Sequence, residues 1–205
     1  ESYDYYTSLG HKVIQIPNAI DISSLSTDED RKYEKQVLFA GRLSKEKGVK
    51  TLIEICKKLP HDIHLIIIGD GPEVENIKKL ESSQNNIHYL GSKNHQQTIS
   101  LIKGSDVLVQ PSFSEGISTT ILESMACKTV IVASNVGGNL ELIQDQESGI
   151  LVEPTNPEIF CEKIIELISD KLLRNKLSTL SYENVKKYDW NIIGKQYLEL
   201  YNSLL

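Results

Sequence analysis

The sequence predicts an α/β fold: a doubly wound, parallel, six-stranded sheet with extra helices at the carboxyl end. Three observations carry that prediction. Six short, β-branched runs recur along the 205 residues. They are continuously apolar rather than alternating, as a parallel sheet covered on both faces requires. Amphipathic stretches fill the intervals between them, and right-handed crossovers then distribute helices to both faces of the sheet.

Taken in order, residues 1–21 read as a short helix stopped at Gly10, a strand "KVIQI" at 12–16, and "PNAID". Residues 22–36, "ISSLSTDEDRKYEKQ", are polar and read as a linker or surface loop. The first sheet strand is "VLFAG" at 37–41, followed by a helix from Val49 to Leu59 with Leu52, Ile53, Cys56 and Leu59 on one face. "IHLIIIG" at 63–69 leads into "GDGPE", a tight turn with Pro72 at the first helical position. It lacks the third glycine of a dinucleotide fingerprint and does not follow the first strand. "IHYLG" at 87–91, "DVLVQ" at 106–110, "TVIVAS" at 129–134 and "GILV" at 149–152 complete the sheet. Between the fourth and fifth strands, Ile121, Leu122, Met125 and Ala126 supply the core face of a helix. From Pro157 the chain reads as helical to its end, with a break near Tyr188 and Asp189. The last helix carries Trp190, Ile193, Tyr197, Leu200 and Tyr201 as an apolar stripe, most simply core packing, otherwise a face for a partner domain. The body of the fold is thus 37–187, with 188–205 as a final helix.

Composition narrows the function classes. The chain is 40% hydrophobic and 24% charged, enough for one sizeable core and too short for two large domains. A net charge of −6 argues against nucleic acid as a partner. No apolar run approaches the ~20 residues that cross a bilayer. The chain opens at Glu1 without the layout of a signal peptide, so it is either processed or a piece of something longer. Cys56, Cys127 and Cys161 are far apart in segments read as helix, which suits free thiols in a reducing cytoplasm. No histidine and cysteine spacing suggests zinc, and the Asp-x-Asp within "TDED" at 27–30 lies in a polar stretch rather than after a buried strand. No metal is expected.

In doubly wound sheets ligands bind at the carboxyl ends of the strands. The first such loop, "GRLSKEKG", puts Arg42 and Lys47 ahead of Gly48, where a helix opens. Six residues separate its glycines, so it is not a Walker loop. The two cations beside a helix N-terminus suit a diphosphate, and equally a solvated surface turn. The fourth strand ends in "QPSFSEGISTTILE". Here Ser118 or a neighbour caps the helix, leaving amides at Ser118, Thr119 and Thr120 aimed at the crevice. Glu115 stands at the mouth and Glu123 on the second turn. Carboxylates accept paired hydrogen bonds from vicinal hydroxyls, so the two glutamates would hold sugars and the amides between them a phosphate. A hydrolytic acid/base pair is the other reading of two carboxylates, which the cationic loop across the crevice makes the weaker.

"GRLSKEKG", "GDGP", "PSFSEGISTTILESMACKTVIVASNVGGNLELI" and "SGILVEP" together resemble the C-terminal half of family-four retaining glycosyltransferases with the GT-B fold, and "IPNAID" resembles the segment that enters that half. The resemblance implies a Rossmann-like, nucleotide-sugar-binding domain, with residues 1–21 leading in from an N-terminal domain that binds the acceptor. It implies that Arg42 and Lys47 neutralise the donor diphosphate, with Glu115 on the transferred sugar and Glu123 on the ribose. Backbone amides of Ile117, Ser118, Thr119 and Thr120 would meet sugar and phosphate, and the turn at Gly91, Ser92 and Lys93 would border the base. Catalytic roles fall to Glu115, Arg42 and Lys47. No metal or other cofactor is implied, only the sugar nucleotide as substrate. The acceptor would be a carbohydrate, lipid or protein, and the whole enzyme cytoplasmic or peripheral to a membrane's inner face. Two departures stand out: Ser118 where many members carry Gly, and "NAID" for the commoner Asn-Gly turn. Because such enzymes react between two domains, this chain alone is expected to bind nucleotide sugar and transfer it poorly. A non-catalytic binding subunit serving a separate acceptor-binding chain is the alternative.

Overall fold

The computed structural model describes residues 2–204. Its six strands are β1 (Gln36–Ala40), β2 (His64–Ile68), β3 (Ile87–Tyr89), β4 (Val107–Gln110), β5 (Val130–Ser134) and β6 (Ile150–Val152). All pair in parallel in the order β3-β2-β1-β4-β5-β6. Each begins and ends within two residues of the apolar run that predicted it. The helices are α1 (Ser2–Ser8), α2 (Val49–Lys58), α3 (Val74–Ser83), α4 (His95–Lys103), α5 (Thr119–Ala126), α6 (Asn139–Leu142), α7 (Pro157–Ser169), α8 (Lys171–Val185) and α9 (Trp190–Asn202).

Alternation along the strands divides the core into two layers. Val37 and Phe39 of β1 face α2, α3 and α7 through Leu52, Ile55, Ile77 and Phe160. Leu38 and Ala40 face α4 and α5 through Ile99, Ile102, Ile121 and Met125. Burying each large side chain contributes about 1.5–3 kcal/mol, so both layers are needed to hold the sheet. On α2 the fully buried residue beside Leu52 and Cys56 is Ile55, while Ile53 is only partly covered. The helices start where their caps stand: Asn94 and Gln97 form a capping box on α4, Asn156 caps α7 ahead of Pro157, and Asp170 and Asp189 cap α8 and α9.

Three local expectations are corrected. "KVIQI" forms no strand, because among the described residues no chain pairs with 12–16; the nearest pairing is a single bridge from Ile20 to Asp189. Pro72 is not at the first helical position: Glu73 is the N-cap of α3, and the proline stands one residue before it. On α9 the stripe is not core. Only Ile193 is buried, whereas Trp190 and Tyr201 remain 51% and 60% exposed and Tyr197 is half-buried, so the helix leaves most of the stripe uncovered. Residues 22–36 hold only a 3-10 turn, yet Leu25 is buried and Asp30 N–H bonds to the Ser100 carbonyl, which ties the segment to the body. Cys56 and Cys161 lie in helices and Cys127 at the end of α5, all three as free thiols.

Candidate functional site

The sheet order reverses between β1 and β4, which are neighbours. Their carboxyl-end loops therefore meet over the crevice where doubly wound folds bind ligands. Two close approaches lock them together. Gly48 has φ +70, and a Cβ there would lie 1.8 Å from the Pro111 carbonyl oxygen. The amide of Phe113 donates to the Glu46 carbonyl at 2.8 Å. The loop after β5 seals the base: Gly138 N–H donates to the Glu115 carbonyl at 3.0 Å, and a Cβ on Gly138 would strike the Gly116 carbonyl.

This frame puts Lys47 on Glu115. The ammonium donates to both carboxylate oxygens at 2.7 Å. Oε1 also accepts from the Gln110 amide at 2.5 Å and the Ser112 hydroxyl at 2.7 Å. The carboxylate is 5% exposed and its lysine 31%. Oε2 receives only Lys47 among the described residues, so it keeps a lone pair for an incoming hydroxyl. Ser118 caps α5, its hydroxyl accepting from the Ile121 amide, and bonds Gln110 as well. The amides of Ile117, Ser118, Thr119 and Thr120 have no acceptor among the described residues and stand at the positive end of α5.

Glu123 lies one turn further along α5, with its carboxylate 2.9 Å from His95 Nε2. Burial pushes its carboxyl above the ordinary glutamate value, and the His95 contact partly opposes that. Two small cavities flank the helix start. One, about 220 Å³, has Gly41, Gly69, Ser92, Lys93 and Thr120 in its walls. The other, about 200 Å³, is bounded by Asp21, His95, Thr119 and Glu123. A mostly apolar hollow of about 560 Å³ opens between α2 and α3 beside Phe113.

The residues singled out from sequence thus fall into groups. Lys47, Glu115 and Ser118 share one hydrogen-bond network. Ser92 and Thr120 line one cavity, Thr119 and Glu123 the other, and Gly91 sits at φ +68 with its carbonyl bonded to Gly69 N–H. Ile117 offers its carbonyl to the Asn18 side chain at 2.8 Å, which binds the N-terminal segment to this loop. Arg42 is exposed and holds no ion pair among the described residues. Sequence reasoning passed over His95, Gln110, Ser112 and Asn18. Only the double glycine in "NVGGN" carried a local signal of the seal beneath Glu115.

The family profile described as "Glycosyl transferases group 1" matches residues 25–184. An uncharacterized glycosyltransferase of Methanocaldococcus jannaschii is 33% identical over 185 residues, covering 89% of this chain and 51% of its own. The N,N'-diacetylbacillosaminyl-diphospho-undecaprenol alpha-1,3-N-acetylgalactosaminyltransferase of Campylobacter jejuni is 31% identical over 172 residues, covering 82% and 45%. The C-terminal domain of a glycosyl transferase group 1 family protein from Francisella tularensis matches with a TM-score of 0.73 and 29% identity, covering 83% of this chain and 98% of that one. Anabaena HepE in complex with UDP shares the fold at a TM-score of 0.86 and 21% identity, covering 98% and 61%. The chain spans about half the length of the curated relatives it matches.

Proposed function

The chain belongs to the group 1 glycosyl transferases, and from that premise we propose that it is the half that binds a nucleotide-diphosphate sugar for retaining hexosyl transfer. The observation that carries this reading is the convergence of a buried carboxylate–lysine pair with unpartnered helix-end amides at the sheet's switch point. Such a site matches a ligand with hydroxyls on both sides of a diphosphate. The fold neighbour Anabaena HepE is solved in complex with UDP, a ligand that carries such a diphosphate.

In this reading the ribose hydroxyls donate to Glu123 and the base rests against Gly91 and Ser92. The amides of Thr119 and Thr120 and the side chains of Arg42 and Lys47 meet the diphosphate. The free lone pair of Glu115 Oε2 accepts a hydroxyl of the transferred sugar. As the bond from the anomeric carbon to the phosphate oxygen breaks, negative charge grows on the leaving diphosphate. The preplaced Lys47 ammonium and the helix-end amides lower the barrier because they interact more strongly with that charge than with the ground state. The chemistry is assigned here without a metal. The acceptor would bind on the part of the enzyme beyond this chain, so the chain alone would bind donor without acceptor-dependent turnover.

A thermal-shift panel with UDP, GDP, ADP, CMP and their sugars tests it, with Glu123→Ala and Arg42→Ala beside the wild type. Ligand at a hundred times its Kd stabilises by about 2.7 kcal/mol. For a chain of this size that raises Tm by about 5–10 °C. One base series shifting the wild type, with both variants blunted, supports the assignment. Equal shifts in wild type and variants would place the ligand elsewhere.

A further inference from the structure

The opposite end of the sheet holds a second charged cavity, about 300 Å³, between the segment before β1, the amino ends of β4 and β5, and α8. At its floor Asp106 is gripped from two sides, by Arg31 at 2.7 Å and Arg174 at 3.2 Å. The carboxylate is 9% exposed, and its Oδ2 also accepts from the Gln36 amide. Both arginines are anchored further: Arg31 donates to the Gly104 carbonyl, and Arg174 to the carbonyls of Leu167 and Ile168 at the end of α7. That clasp accounts for three residues of the cavity. It does not account for Lys128 and Lys171, which line the same space without an ion pair among the described residues.

Four cations therefore face one carboxylate that is already shared, in a chain whose net charge is −6. Asp170, next to Lys171 in sequence, is not among the cavity's lining residues, and its carboxylate caps α8 by accepting from the Leu173 amide. Lys128 sits at φ +59, a left-handed conformation that glycine adopts more readily. Its ammonium lies 4.7 Å from the Tyr182 ring centroid, a cation–π contact that leaves its charge uncancelled. The Asn175 side chain adds a neutral donor, unpaired among the described residues. Residual positive charge, rigidly anchored guanidinium groups and an unpaired amide in one concave site are the features of a phosphate receptor.

We propose that this cavity binds a phosphate-bearing anion, at the end of the sheet away from the crevice assigned to the donor. Lys128, Lys171 and Asn175 contact the phosphate, and the Arg31–Asp106–Arg174 clasp supplies the fixed excess of positive charge behind them. The same chemistry recognises a soluble phosphate or the headgroup of an anionic lipid. The site stands independently of the donor assignment.

The test is isothermal titration of the purified chain with inorganic phosphate and glycerol 3-phosphate. In parallel it would be co-sedimented with phosphatidylcholine vesicles with and without phosphatidic acid. The variants are Lys128→Gln/Lys171→Gln, the single Lys171→Gln, and, as a surface control, Lys79→Gln. Tenfold or greater weakening of phosphate or acidic-vesicle binding in the double variant, with the exposed α3 control Lys79→Gln unchanged, supports the proposal, and the arm that responds identifies the source. Lys171 is exposed on the first turn of α8, so its single variant keeps the test usable if the pair disturbs folding. Unchanged binding in both cavity-lysine variants, equal loss in Lys79→Gln, or no saturable binding in either arm overturns it.

Discussion

Removing the ammonium from the Lys47–Glu115 pair and removing its carboxylate should have unequal consequences. Lys47→Met leaves Glu115 charged, 5% exposed, and held only by Gln110 and Ser112. Breaking a fully buried pair this way costs about 3–5 kcal/mol. The two neutral donors that remain, and the water that reaches the 31%-exposed lysine side, bring the expected loss to about 2 kcal/mol. Glu115→Gln instead frees an ammonium that water can solvate, and should cost about 1 kcal/mol or less. The double variant buries no unpaired charge and should be more stable than Lys47→Met alone. Urea denaturation of the four proteins at neutral pH measures the cycle, and in a parallel thermal melt Lys47→Met should lower Tm by about 4–8 °C. Equal losses in the two single variants, or Lys47→Met within about 0.5 kcal/mol of wild type, would refute the reasoning, because ordinary surface changes stay inside that margin.

Glu123 should trade stability for binding. Burial raises its folded pKa, so the folded chain holds that proton more tightly than the unfolded chain. Its contribution to stability then rises as pH falls through the raised value and is lost at neutral pH. Glu123→Gln should therefore raise Tm at pH 7, with the difference closing in acid, while nucleotide affinity drops; a lower Tm at pH 7 contradicts this. His95→Ala removes an exposed partner of Glu123. It should weaken nucleotide binding several-fold by titration calorimetry while changing stability by less than about 0.5 kcal/mol. Gly48→Ala meets both a left-handed backbone and the Pro111 carbonyl. It should cost at least 2 kcal/mol in urea denaturation, since the conformational penalty alone is roughly 1–2 kcal/mol, and a silent substitution would show that the two loops are not locked.

The sheet was legible because burial on both faces turns each parallel strand into an unbroken apolar run. "KVIQI" misled because its β-branched residues say nothing of whether a neighbouring strand exists, and none pairs with it among the described residues. The stripe on α9 misled for a related reason: helical periodicity marks a face that wants covering, not that this chain covers it. The meeting of Lys47 and Glu115 was within reach of sequence, since both are charged residues in the loops that follow β1 and β4. His95, Gln110, Ser112 and Asn18 were not, since each is polar, unremarkable in its own segment, and meaningful only after strand order brings three loops together. Asn18 meets Ile117 across 99 residues of sequence. No local pattern encodes that contact.

The difference in how the two cations are held carries a kinetic consequence for the enzyme of which this chain is the proposed donor half. Lys47 is already fixed by two 2.7 Å bonds to Glu115, so placing its charge beside the diphosphate needs little further ordering. Arg42 is exposed without an ion pair among the described residues, and it must lose side-chain entropy to engage a phosphate. A fixed cation acts most where charge is growing, because it does not reorganise as the bond breaks. A cation ordered by the ligand strengthens ground state and transition state alike, which is uniform binding. Arg42→Ala in the full-length enzyme should therefore raise donor KM with kcat nearly retained, whereas Lys47→Met should lower kcat by about 10²-fold, the scale of one lost transition-state donor. The reverse pattern would mean that Arg42 is ordered before the chemical step and that Glu115 holds Lys47 away from the phosphate rather than toward it.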